Sequence, residues 1–77
     1  MRERSRLVVH AHPEPRAVEE LEAVVRTAGL DVERLEVRRE NVDLVIELEL
    51  RGPRRLLDQA LLAVIHQPGV RSVSSGE

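Results

Sequence analysis

Apolar residues along the chain change spacing from two to three-and-four and back, and then do so again. From Arg4 to His12, Leu7, Val9 and Ala11 fall on one face while Arg6, Val8, His10 and His12 fall on the other, the alternation of a half-buried strand. Pro13-Glu14-Pro15 ends it, because proline has no N–H for a ladder, and Pro15 suits the first position of a helix, where that N–H is not needed. Val18, Leu21, Val25 and Ala28, widened by Ala17 and Val24, then recur at helical spacing, with Glu19, Glu20, Glu22 and Arg26 on the wet side. Gly29 predicts a left-handed C-terminal stop.

Leu30 to Arg39 returns to strand spacing, but its inward set of Leu30, Val32, Leu35 and Val37 slips by a residue between Val32 and Leu35. A bulge there restores the face. Arg39-Glu40-Asn41 predicts a hairpin turn with Asn41 at positive φ, and Val42 resumes the apolar pattern. Leu44, Ile46, Leu48 and Leu50 then alternate with Val45, Glu47, Glu49 and Arg51, which predicts one face on a core and one mostly in water. Gly52-Pro53 precedes a second amphipathic helix through Leu57, Ala60, Leu61, Val64 and Ile65, flanked by Leu56 and Ala63, and Gln67-Pro68-Gly69 ends it. Val70 to Ser74 is a short last strand, followed by a frayed Ser75-Gly76-Glu77.

The order β-α-β-β-α-β with right-handed crossovers predicts an α+β fold: a ferredoxin-like two-layer sandwich whose four-stranded antiparallel sheet has the order 4-1-3-2 and carries both helices on one face. A single domain is expected over about residues 5 to 75. Leu7, Val9, Leu44, Ile46 and Leu48 should lie beneath the helices, with Val8, His10, Val45, Glu47 and Glu49 on the open face.

Composition narrows the chemistry. The 77 residues are 42% hydrophobic and 34% charged, with no Phe, Tyr or Trp, so the core is aliphatic. Without aromatic residues the open sheet cannot stack bases as RNA-recognition modules of this topology do. Twelve basic residues, all arginine, stand against 14 acidic ones, a net charge of -2, which argues against nucleic acid as a partner. The absence of cysteine removes disulfides, thiolate metal sites and thiol nucleophiles and fits a reducing compartment. No apolar run reaches the roughly 18 residues of a membrane span, and a soluble, unprocessed cytoplasmic chain is the expectation.

Three groups of residues bear on chemistry. His10 and His12, at i and i+2, would face Glu47 and Glu49 on the neighbouring strand, a two-histidine-plus-carboxylate set of the kind zinc or nickel takes. The set lacks a closing ligand of fixed position, so the expectation is no metal site, with His10 and His12 as the candidates. The turn Pro13-Glu14-Pro15-Arg16 sits where acylphosphatases of this topology cradle phosphate, but two prolines and a carboxylate leave few N–H donors. Ser5, Ser72, Ser74 and Ser75 have no histidine or carboxylate spaced to activate them. Neither catalysis nor a cofactor is expected. The arginine groups Arg34/Arg38/Arg39 and Arg51/Arg54/Arg55 alternate with glutamates and read as solvated, ion-paired edges.

From about Ser5 to Ser74 the sequence resembles an ACT-type domain, in its proline-bearing turn after the first strand, its Ala28-Gly29-Leu30-Asp31-Val32 helix exit and its Gln67-Pro68-Gly69-Val70-Arg71-Ser72-Val73 exit. The resemblance implies binding of an amino acid or other small effector at the turn, with Pro13, Glu14, Pro15 and Arg16 as the candidate residues. Pro15 and Val18 match the family's Asp-Arg-Pro-Gly-x-Leu pattern, whereas Pro13 and Arg16 stand in place of its acid and its glycine. More narrowly, Gly29 to Val37, Leu48-Glu49-Leu50 and Leu61 to Val73 resemble segments of the cytosolic C-terminal domain of the MgtC/SapB family. That resemblance implies a regulatory domain on the cytosolic face of a membrane protein, associated with magnesium limitation and acting on membrane ATPases through contacts. It makes this chain a fragment or stand-alone relative of such a tail.

Three readings follow: a non-catalytic interaction module, a small-effector sensor and a weak divalent-metal binder. A symmetric homodimer is expected, through either the last strand or the open face, with Val8, Val45 and Val73 as the interface candidates. A membrane-protein partner or an attached membrane domain is the further expectation.

Overall fold

The computed structural model describes residues 2–76. The elements run β1 (Arg2–Ala11), α1 (Ala17–Thr27), β2 (Asp31–Glu40), β3 (Asp43–Pro53), α2 (Arg54–Ile65) and β4 (Val70–Gly76). They build a four-stranded antiparallel sheet of order β2-β3-β1-β4, the ferredoxin-like sandwich that the period changes predict. Leu7, Val9, Ile46, Leu48 and Leu50 meet Leu21 and Val25 of α1 and Leu57, Ala60 and Val64 of α2 in one aliphatic core. Among the described residues no polar or charged side chain is buried.

Local signals fix the joints. The register of β2 against β3 shifts between Val32 and Arg34, the bulge that the slipped apolar set requires. Asn41 has φ 58, while Gly29 and Gly69, just past the two helices, have φ 94 and φ 86. These are left-handed positions that helix exits and tight hairpins demand.

Several boundaries differ from the sequence reading. Val42 belongs to the turn and is 70% exposed, because Glu40 pairs with Asp43 and leaves a loop of Asn41 and Val42. Helix α1 begins at Ala17 and not at Pro15, since the Ala17 N–H first closes a turn onto the Glu14 carbonyl at 3.1 Å. Ile65, expected on the core stripe, is 47% exposed at the end of α2. Ser75 and Gly76 are not frayed: they pair with Leu7 and Arg6, and the Ser5 hydroxyl donates to the Gly76 carbonyl at 3.2 Å. Glu77 lies outside the described residues. Strand β1 ends at Ala11, so His12 stands beyond the sheet, its N–H donating to the Gly69 carbonyl at 2.8 Å.

Candidate functional site

The turn from His12 to Arg16 joins β1 to α1 and packs against the α2–β4 exit at Pro68 and Gly69. Few of its amides are available as donors, the His12 N–H being bonded to the Gly69 carbonyl. Pro13 and Pro15 have no N–H, Glu14 N–H donates to the His12 carbonyl at 2.8 Å, and Ala17 N–H donates to Glu14. The His12 ring meets the Glu14 carboxylate, Nδ1 to Oε1, at 2.9 Å. The positive end of α1 already faces Glu19 and Glu20 in its first turn. Beneath the turn, Ala11, Leu21, Ile46 and Val70 help enclose a cavity of about 20 Å³, room for about one water. Outside it, Glu14, Pro15, Arg16, Glu20, Pro68 and Gly69 rim an open trough of about 460 Å³. An effector there would meet two carboxylates and one guanidinium on an exposed surface.

The open sheet face is a lattice of paired charges. Across the strands stand the rows Arg6-Glu49-Arg34, Val8-Glu47-Glu36 and His10-Val45-Arg38. Arg38 hydrogen-bonds Glu47 and lies 3.5 Å from Glu40, Arg34 hydrogen-bonds Glu36, and Glu33 lies between Arg4 at 3.4 Å and Arg51 at 3.7 Å. The hydrogen bond to Glu36 raises the pKa of Arg34, and the one to Glu47 raises that of Arg38. Because the signs alternate, the face presents no unipolar field, and each exposed pair adds only ~0–1 kcal/mol.

The sequence-predicted residues divide across these surfaces. Pro13 to Arg16 do form one turn beside His12, whereas His10 remains in the sheet, half-buried beside Val45. Among the described residues no three histidines, aspartates or glutamates converge as a metal cage. Val45 has no exposed surface of its own, so Val8 is the apolar contact that the open face offers. Val73 pairs with Val9 and packs half-buried against the core. Sequence reasoning missed the Arg71–Asp43 pair, Nε to Oδ1 at 2.8 Å, which reaches across β1 from β4 to β3. Only the three-dimensional order of the strands brings those two residues together.

This turn, sheet order and helix layer make up the βαββαβ sandwich of ACT type. The chain is similar to the ACT domain of GTP pyrophosphokinase from Chlorobium tepidum, with a TM-score of 0.84 and 8% identity over 99% of this chain and 100% of that one. It is also similar to the C-terminal domain of the MgtC protein from Mycobacterium tuberculosis, with a TM-score of 0.75 and 14% identity over 95% of this chain and 84% of that one. A third likeness is to a homoserine dehydrogenase from Thiobacillus denitrificans, with a TM-score of 0.82 and 12% identity over 97% of this chain but only 17% of that one. No protein-family model and no curated protein matches the sequence. At such identities the likeness defines the fold, which is ACT-like.

Proposed function

We propose that the chain is a non-catalytic regulatory module that acts through protein contacts, of the kind represented by the C-terminal domain of MgtC. One observation carries this reading: the turn that would hold a small effector lacks two N–H groups at its prolines, has its His12 and Glu14 amides bonded to backbone carbonyls, and encloses only about 20 Å³. Binding a carboxylate or phosphate in water takes convergent donors in a site that excludes solvent. Glu14 and Glu20 at the trough act against an anion. The structural likenesses support the reading, since the same fold makes up a named domain of a GTP pyrophosphokinase and the C-terminal domain of the MgtC protein. In that setting the domain works at the cytosolic side of a membrane protein. Among the described residues no helix is long and apolar enough to cross a membrane itself.

A small-effector sensor is the second reading, favoured by the open trough beside Arg16. A thermal-shift panel of amino acids, nucleotides and divalent ions separates the two, because a ligand at a hundred times its Kd stabilises the fold by ~2.7 kcal/mol. The contact-module reading expects no member of the panel to raise the melting temperature. A saturable rise of several degrees with one of them overturns it.

A further inference from the structure

Two places on the open sheet face set like charges directly opposite each other, an arrangement that destabilises a sheet unless it is compensated. Glu36 faces Glu47 across β2 and β3, and hydrogen bonds from Arg34 and Arg38 close that pair. Arg4 faces Arg51 across β1 and β3, and its compensation is thin. Glu33, which stands at the bulge in β2, lies 3.4 Å from Arg4 and 3.7 Å from Arg51 and serves both. Asp31, the β2 residue opposite Arg51, is already hydrogen-bonded to Arg2.

Arg6 extends the cluster, as the next residue along β1 on the same face as Arg4. The carboxylate within its reach, Glu47 at 3.9 Å, accepts a hydrogen bond from Arg38. Arg2, Arg26, Arg34, Arg38, Arg54 and Arg71 each donate a hydrogen bond to a carboxylate. Among the described residues Arg4, Arg6 and Arg51 donate none, and all three side chains are open to solvent. Arg4, Ser5, Arg6 and Glu49 line an open concavity of about 240 Å³. Three neighbouring guanidiniums thus keep their donor forks unused.

We infer that this arginine cluster docks an acidic, extended segment of a partner protein, one with carboxylates on alternate residues. The inference rests on the contact-module reading and gives that reading a surface and a partner chemistry. Arg4 and Arg6 are two residues apart on one strand, ~6.6 Å, and the same-face side chains of any extended segment repeat at that distance. Arg51 adds a third fork ~5 Å across the sheet from Arg4. A guanidinium takes a carboxylate through two parallel N–H donors. Glu49, in the same concavity, leaves room for discrete carboxylates on Arg4 and Arg51 but repels a continuous polyanion such as nucleic acid or an anionic bilayer.

Because each exposed ion pair contributes little, the complex should be weak, with a Kd on the order of 0.1–1 mM at low salt. It should weaken several-fold at physiological ionic strength, where the Debye length falls to ~8 Å.

Amide chemical-shift titration of the whole chain at about 20 mM salt, with a blocked peptide of alternating glutamate and serine, tests the inference. Saturable shifts should fall on Arg4, Ser5, Arg6, Glu49 and Arg51. Arg4→Gln and Arg51→Gln should each weaken binding at least about fivefold without lowering the melting temperature, since each also relieves the opposed cations. Glu49→Gln should strengthen it, and Arg55→Gln, on α2, should leave it unchanged. Absence of saturable shifts up to about 10 mM peptide overturns the inference. So does equal weakening by Arg55→Gln, or tighter binding of an oligothymidylate of equal length at the same amides. Each of these failures removes the docking surface alone, because the contact-module reading itself falls to a ligand that raises the melting temperature in the thermal-shift panel.

Discussion

Gly52 and Leu30 share one volume: a Cβ at position 52 would collide with Leu30 Cδ2, deep in the core where Leu30 is 4% exposed. The contact fastens the start of β2 to the end of β3, just where β3 passes through Pro53 directly into α2. Gly52→Ala should cost ~1–3 kcal/mol by overpacking, read as a lower urea midpoint. Gly52→Ala combined with Leu30→Ala should recover part of the loss, and a double-mutant cycle without coupling would show that the two side chains do not compete.

Val45 points to the open face, yet it is fully buried. His10 and Arg38 flank it, and Arg38 bends to Glu47 beside it. Val45→Ala should cost about 2 kcal/mol, as for two buried methylene equivalents plus a small cavity. A change below ~0.5 kcal/mol in chemical denaturation, the size of an ordinary surface substitution, would mean the position is wet. Substitutions at Val45 therefore test the fold before they test any interface.

Ile46, on the opposite face of the same strand, lies at 0% exposure in the main core. Ile46→Asp places a carboxylate there without a partner, a penalty comparable to the whole 5–15 kcal/mol stability typical of native proteins. Loss of the cooperative thermal transition is the expected outcome, and a retained transition contradicts the core assignment.

Much of this was legible because the signals were local. Leu44, Ile46, Leu48 and Leu50 recur at every second position, the slip between Val32 and Leu35 marks its own bulge, and Asn41 takes the positive φ that its turn needs. What was not legible depends on neighbours distant in sequence. Ser75 and Gly76 read as tail but pair with Leu7 and Arg6 in the middle of β1. Val45 reads as surface by alternation but is buried between its cross-strand neighbours His10 and Arg38. His12 reads as a strand residue by alternation, but Gly69 and Glu14 claim its backbone and ring. The candidate turn was readable as a unit, Pro13 to Arg16, because proline acts on its own segment. How little space lies beneath it depends on Leu21, Ile46 and Val70.

Zinc should bind weakly. His12 is engaged with Glu14, 2.9 Å away, and His10 lies in the sheet beside Val45, so two histidines without a third converging ligand make a poor cage. Calorimetry should give a Kd well above the micromolar range, on the order of 0.1 mM or weaker. Micromolar binding that His12→Ala abolishes contradicts this.

The central claim is that the domain works through its outer surface and not through a ligand held at the β1–α1 turn. Backbone-amide chemical-shift mapping with millimolar amino acids, nucleotides and magnesium tests it most directly, because it reports position as well as affinity. The account predicts that the amides of Glu14, Arg16, Glu20 and Gly69, which rim the trough, stay in place through every titration. Saturable movement of those same amides with one ligand would contradict it.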